Sequence, residues 1–377
     1  MNNAAGSRFR KCLEDNRTYV IAEVGVNHNG ILSTAHDLID AAAECGADAV
    51  KFQTFQASEL VNQDLGQAPY QRKGKSSLRS QFQMLRELEL SFSSHYELRQ
   101  HADDRGLEFL STPYDLDALK FLRDEIKVPV IKIASADITY GQLLFAAGQS
   151  KCDIILSTGM ATMDEVQTAL SLVRSGAQES GRVVGIDEPI IQKPGQSIRR
   201  GPADPEIVVM QCTSNYPSAP HEAHLKVLET FKHYFKVRVG YSDHTQSEVA
   251  AVVAVALGSV AVERHFTLDT NQVGPDHAAS LDPAGMRRYV EQIREAEQLL
   301  GTSVKTPQLG ESVNIRYLRR SLYAARDLKS GDLVGTSDIV TRRPGDGLCA
   351  SNYLQLIGSR CRRDIVRGEP FLEGDFG

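Results

Sequence analysis

Two short apolar runs that each end in a histidine constrain this chain more than any other feature. Val237-Arg238-Val239 leads into Gly240-Tyr241-Ser242-Asp243-His244-Thr245, and Ser259-Val260-Ala261-Val262 leads into Glu263-Arg264-His265-Phe266. β-Branched runs of this kind form strands, and the Ala/Val-rich stretch between them, Ser247 to Leu257, has helical length. Strand, helix, strand implies two parallel neighbours, and the C-terminal ends of parallel strands share one mouth, where ligands bind. One imidazole at each end, 21 residues apart in the chain, suits a single divalent ion completed by carboxylate or water. Either histidine alone is more simply a hydrogen-bonded loop residue. The pair, with Asp243, Asp276 and His277 close in sequence, favours a metal.

The same rhythm runs through the first 300 residues. Thr18 to Gly25, Ala49 to Gln53, Glu108 to Thr112, Val130 to Ser135, Asp153 to Ser157 and Ile207 to Gln211 supply six further strands. Helical segments lie between them, including one capped by Ser33 and ended by Gly46, one from Met163 to Arg174 and one from Pro283 to Leu300. Eight strands alternating with helices predict an α/β fold of the (β/α)8 TIM-barrel type. An open doubly wound sheet is the alternative, but no G-x-G-x-x-G follows the first strand. Residues 1–17 form an N-terminal extension and 18–301 the barrel. Asn62 to Ser80 is a polar excursion, and residues 176–206, with nine Gly or Pro among 31, form an inserted surface loop. A linker over 302–313 leads to a small β-rich domain at 314–377, marginal in size if it stood alone.

Composition narrows the class. At 377 residues, 41% hydrophobic and 24% charged, the chain suits a large barrel with a small appendage. No apolar run reaches membrane-spanning length and no signal-peptide pattern opens the sequence. Six cysteines without a C-x-x-C pair fit a reducing compartment, so the cytoplasm is expected. A net charge of −6 argues against nucleic-acid binding. That charge is uneven: residues 314–377 carry +3, leaving −9 on the remainder.

Polar residues concentrate where the strands end. Glu23 comes from the first strand, Lys51 and Gln53 from the second, Thr112 from the third, Lys132 and Ser135 from the fourth. Ser157 follows from the fifth, Ser214 and Tyr216 from the sixth, Ser242 and His244 from the seventh, and His265 from the eighth. Eight strands delivering polar ends to one mouth is what a barrel enzyme needs. Lysines inside apolar strands require partners, since a buried unpaired charge is costly. Lys51 and Lys132 with nearby hydroxyls suit a phosphate or carboxylate. One of them could instead form a Schiff base, or each could pair with Glu23 or an Asp as a structural ion pair.

These residues also form recognisable motifs. Ile21-Ala22-Glu23-Val24-Gly25-Val26-Asn27-His28-Asn29-Gly30, Lys51-Phe52-Gln53-Thr54-Phe55 and Ser111-Thr112-Pro113-Tyr114-Asp115 resemble the sialic acid synthase family, which includes legionaminic and pseudaminic acid synthases. So do Lys132-Ile133-Ala134-Ser135, Ser157-Thr158-Gly159-Met160, Cys212-Thr213-Ser214, Tyr216-Pro217, both histidine motifs and Gly274-Pro275-Asp276-His277. Arg320-Ser321-Leu322 and Arg343-Pro344-Gly345 are similar to the antifreeze-like (SAF, β-clip) domain of those enzymes, so the resemblance covers nearly the whole chain.

The resemblance implies a metal-dependent condensation of phosphoenolpyruvate with an N-acylated hexosamine, giving a nine-carbon 2-keto acid and phosphate. It makes His244 and His265 ligands of Mn2+, with Mg2+ or Co2+ as substitutes. It assigns phosphoenolpyruvate to Lys51, Gln53, Thr112, Lys132, Ser135, Ser157, Ser214 and Ser242, with Glu23, Lys51 and Lys132 catalytic. Tyr216 and Asp276 would touch the acceptor sugar. It further implies a domain-swapped homodimer in which Arg343 reaches the sugar of the second copy. The chain departs from the family's pattern in its 176–206 insertion and in Ala136 after Ser135, where glycine is common. Competing functions are another metal-dependent phosphoenolpyruvate aldose synthase of the octulosonate or heptulosonate type, a Schiff-base aldolase using Lys132, and a non-catalytic barrel targeted by its tail to glycan or ice.

Overall fold

The computed structural model describes residues 6–67, 80–178 and 205–377. The chain divides into two compact units that meet in sequence at Gly301 and Thr302. All eight expected strands are present in the first: β1 (Tyr19–Gly25), β2 (Ala49–Thr54), β3 (Glu108–Pro113), β4 (Val130–Ile133), β5 (Asp153–Ser157), β6 (Ile207–Cys212), β7 (Arg238–Asp243) and β8 (Ser259–His265). They hydrogen-bond in the order β3-β2-β1-β8-β7-β6-β5-β4, every pair parallel, and β3 and β4 lie beside one another to complete a near-closed (β/α)8 barrel.

Strand parity decides what the barrel holds. Ile21, Ala49, Leu110, Val130, Ile155 and Ala261 belong to one buried apolar cluster in the barrel interior. Residues of the opposite parity, such as Val20, Val50, Phe109 and Ile131, pack outward with the helices. Side chains alternate along a strand with period two. Two residues beyond each interior apolar position therefore come Glu23, Lys51, Thr112, Lys132, Ser157 and Glu263, all buried. An apolar layer thus carries a polar layer at the C-terminal end of the same strands.

The opposite end is closed by a helix, Arg8–Glu14, where only an extension was expected. Ser7 caps it by accepting from Arg10 N at 3.2 Å. Phe9 is fully buried and meets Tyr19 edge-on at 5.2 Å. Arg10 forks onto Asp153 at 2.8 and 2.7 Å, and the backbone N–H groups of Arg8 and Phe9 donate to the Glu108 carboxylate.

Several boundaries differ from expectation. β4 stops at Ile133 because Ser135–Asp137 turns into a 3-10 helix. The helix expected to be capped by Ser33 runs Leu32–Glu44, with Ile31 at the cap position and no side-chain cap. The Ala/Val-rich helix is shortened to Ala250–Ala256. Thr245 and Ser247 side chains accept from Ser247 N and Val249 N and hold those residues in turns. Gly176 to Gln178 of the proposed insertion finish the helix Met163–Gln178. The rest of that insertion to residue 204, and 68–79 of the polar excursion, lie outside the described residues.

In the second unit β9 (Ser321–Ala324) pairs antiparallel with β10 (Ile339–Arg342). Leu322, Leu328, Val334, Leu356, Ile365 and Phe371 form its core. A helix, Leu309–Leu318, occupies part of the stretch expected as linker and begins the unit without contributing a buried residue.

Candidate active site

The barrel residues singled out in the sequence, Asp243 and His277 excepted, line one cavity of about 400 Å3 at the C-terminal mouth, and Glu263, Cys212 and Asp137 line it with them. At its base is a buried charge ring. Lys51 Nζ lies 2.7 Å from Glu23 Oε2 and 3.7 Å from Glu263 Oε2, and Lys132 Nζ is 3.8 Å from Glu263 Oε1. Lys51 also donates to Thr112 Oγ1 at 3.2 Å and Lys132 to Ser157 Oγ at 2.6 Å. Gln53 Nε2 donates to Glu23 Oε1, and Ser242 Oγ to Glu263 Oε1. Both lysines therefore have the partners that burial demands.

Burial and neighbours set the ring's protonation. Desolvation pushes the Glu23 carboxyl up to about 7 against the pull of Lys51. Desolvation also opposes ionisation of Glu263, but the two lysines outweigh it and hold that carboxylate below its usual range. Burial works against the charge on Lys51, which Glu23 and Glu263 more than restore. On Lys132 burial prevails and lowers the ammonium's affinity for its proton. Farther up, burial raises Asp276 to about 6 and Asp137 to about 7.

A second cradle sits on the β5 side. Gly159 N donates to Ser135 Oγ at 2.9 Å. A Cβ at Gly159 would collide with Ser214 Oγ and come within 2.9 Å of Ser135 Oγ. Glycine there lets the Ser135 and Ser214 hydroxyls converge, with the Gly159 N–H holding Ser135 in place, an arrangement suited to an anionic oxygen.

The two histidines face each other at the rim, ring centroids 5.5 Å apart, with Tyr216 tilted on His244 at 4.1 Å and edge-on to His265 at 5.5 Å. His244 Nδ1 donates to the Thr213 carbonyl at 2.7 Å, which leaves Nε2 as a lone-pair donor. His265 Nδ1 is buried and meets no hydrogen-bond partner among the described residues. Burial, reinforced by the positive charges of Lys51, Arg264 and Lys132, holds the His265 ring neutral. No third His, Cys, Asp or Glu joins the pair as a ligand cluster among the described residues. The pair thus fits a divalent ion whose other positions are left to water or substrate oxygen.

Asp243 and His277, close to the metal motifs in sequence, are not on the cavity wall. Asp243 pairs with Arg264 at 3.0 Å behind the histidines and accepts from Thr245 N and Tyr241 OH. Arg343 belongs to the second unit, exposed just after β10. Sequence reasoning passed over Glu263, although it stands two residues before His265 on one strand and so shares its face. Asp137 carried no signal: it enters the cavity only because Ser135–Asp137 is a 3-10 turn.

Comparison with known proteins agrees with this geometry. Residues 38–305 match the NeuB family and residues 319–377 the SAF domain. The N,N'-diacetyllegionaminic acid synthase of Campylobacter jejuni is 38% identical over 95% of this chain and 99% of its own. The enzyme of that name from Legionella pneumophila is 38% identical over 94% and 93%. Among solved structures, the N-acetylneuraminic acid synthetase of Leptospira borgpetersenii superposes with a TM-score of 0.64 at 28% identity, covering 79% of this chain and 90% of that one. A barrel mouth built from these motifs, the matched span and these relatives together show that the chain belongs to the NeuB family, whose members here are nonulosonic acid synthases, and that it carries a SAF domain.

Proposed function

We propose that this chain condenses phosphoenolpyruvate with a diacetamido-trideoxyhexose and water, releasing phosphate and a nine-carbon 2-keto acid of the legionaminic type. The observation that carries the proposal is the buried Glu23–Lys51–Glu263–Lys132 ring next to the histidine pair. Phosphoenolpyruvate is a small polyanion, and Lys51, Lys132, Thr112, Gln53, Ser157 and Ser242 supply the cations and hydroxyls it needs. The Ser135 and Ser214 hydroxyls would take its second anionic end.

C3 of the enol ester forms the new bond to the aldehyde carbon, water adds at C2, and the C2–O bond to phosphate breaks. A divalent ion on His244 and His265, Mn2+ first with Mg2+ or Co2+ able to substitute, would polarise the sugar aldehyde. Glu23 holds or moves a proton between Lys51 and the reacting centre. Tyr216 and Asp276 contact the acceptor.

The acceptor is inferred from two observations. Both relatives at 38% identity are named for diacetyllegionaminic acid. The outer cavity wall is also apolar, formed by Val26, Met84, Leu85 and Leu88, and Lys51 and Lys132 are the lysines and arginines of the lining among the described residues. Such a wall suits a 6-deoxy carbon better than a 6-phosphate. N-Acetylmannosamine is the second choice.

The active species is a homodimer in the cytoplasm. Opposite charges on the two parts of the chain, and six free cysteines, support that reading. No helix among the described residues is long and apolar enough to cross a membrane.

The test is phosphate release from phosphoenolpyruvate with a panel of acceptors, with and without EDTA. Release that requires the diacetamido sugar and is lost with EDTA supports the proposal. Preference for a 6-phosphorylated sugar overturns the acceptor assignment. EDTA-resistant turnover, with borohydride trapping at Lys132, would establish the Schiff-base route that its lowered ammonium pKa permits.

A further inference from the structure

The motif Asn27-His28-Asn29-Gly30 follows β1, yet none of its four residues lines the cavity. Its side chains instead fasten the segment between β8 and the helix Pro283–Leu300, the segment that carries Asp276. The ends of that segment are held by backbone bonds: Phe266 N donates to Glu23 O at 2.7 Å and Leu281 N to His265 O at 2.9 Å. The side chains of Asn27 and Asn29 hold the segment around Asp276. Asn27 Nδ2 donates to Phe266 O and to Ser280 Oγ, both at 2.9 Å, and Ser280 Oγ donates to the Asp276 carbonyl at 2.7 Å. Asn29 Oδ1 lies 3.2 Å from His277 Nε2, and His277 Nδ1 lies 2.7 Å from Thr267 Oγ1.

His277 is fully buried and adjacent to Asp276. With Asn29 Oδ1 as acceptor, Nε2 carries the proton, and Nδ1 faces the Thr267 hydroxyl, which also reaches the Asp269 carbonyl at 3.2 Å. The segment passes flush against the ring: a Cβ at Gly274 would come within 2.5 Å of His277 Cδ2. The anchoring turn is itself fixed. Gly30 adopts a left-handed φ of +73°, a Cβ there would strike the Glu87 carbonyl, and its N–H donates to His28 Nδ1 at 3.0 Å.

We propose that Asn29 and His277 are positioning residues for the acceptor sugar: their contact, outside the cavity, holds the Asp276 carboxyl at the height the sugar needs. The inference rests on the reading that Asp276 touches the acceptor. A carboxyl on a long segment loses binding power when its backbone is free to wander, because the freedom must be removed on binding. Of the phosphoenolpyruvate groups, Lys51, Gln53, Thr112, Lys132, Ser157 and Ser242 sit on strands, and Ser135 and Ser214 follow β4 and β6, outside the segment this tether holds.

The test uses the full-length metal-loaded enzyme, with the diacetamido sugar and phosphoenolpyruvate varied separately. Asn29→Ala and His277→Ala should each raise the KM for the sugar about tenfold, the scale of one lost buried hydrogen bond, and leave the KM for phosphoenolpyruvate within about twofold of the parent. His277→Gln, which keeps a donor for Asn29, should recover part of the loss. Asp276→Asn is run alongside. If it raises the sugar KM while Asn29→Ala does not, the positioning role is overturned and the Asp276 reading stands. If Asp276→Asn leaves the sugar KM unchanged, the Asp276 reading fails and the inference with it. A parallel rise in both KM values with a lowered melting temperature would show general loosening and also overturn it.

Discussion

Glu23 is poised between two charge states near neutral pH. Burial raises it to about 7, so its proton is lost as pH rises through neutrality, and ionisation adds one negative charge to the ring proposed to receive phosphoenolpyruvate. An anion binds the protonated form better. The KM for phosphoenolpyruvate should therefore climb as pH passes from about 6 to about 8, and Glu23→Gln should flatten that climb; a profile unchanged by the substitution would place the titrating group elsewhere. At the rim, His265→Ala removes one of only two imidazoles. Turnover should vanish, and Mn2+ binding followed by electron paramagnetic resonance should fall at least about a hundredfold while the far-ultraviolet dichroism stays that of the parent. Full activity in that variant would sink the metal assignment.

At the scale of elements, the barrel separates stability from chemistry. Phe9 plugs the floor, fully buried against Tyr19, far along the strands from the mouth. Phe9→Ala should cost about 3–5 kcal/mol of stability, read by denaturant unfolding, with both KM values unchanged. That floor was hard to see in the sequence because seven residues are too few for a helical period to declare itself, although Phe9, Cys12 and Leu13 do follow the i, i+3, i+4 pattern. β7 and β8 continue three or four residues past the apolar runs at 237–239 and 259–262, whereas β1 to β6 were legible to within two residues because their middles are buried on both faces and so run apolar. Their polar ends were legible for the same reason, since a lysine in such a run must have a purpose. What stayed hidden was tertiary. Glu263 could have been found by parity with His265, but the turning of Asp137 into the cavity and the facing of Asp243 away from it depend on contacts that no local pattern encodes.

At the scale of the whole molecule, the helix Leu309–Leu318 poses the open question. Leu309, Val313 and Tyr317 recur at i, i+4 and i+8, so they share one face, and they are 92%, 68% and 65% exposed. A helix that buries nothing within its own unit is marginal in water, and an apolar stripe of this kind suits an interface. In the proposed homodimer the stripe is covered and Arg343 serves the sugar site of the second copy. Leu309→Glu with Val313→Glu should then shift the sedimenting species from dimer to monomer. A sharper check separates service in trans from service in cis. Arg343→Ala and His265→Ala chains, each inactive, are unfolded together and refolded as a mixture. If Arg343 acts across the dimer, half of the dimers are mixed and each has one intact site, so roughly a quarter of the parent activity returns. If Arg343 acts within its own chain, every site keeps one defect and the mixture stays inactive however the chains assort.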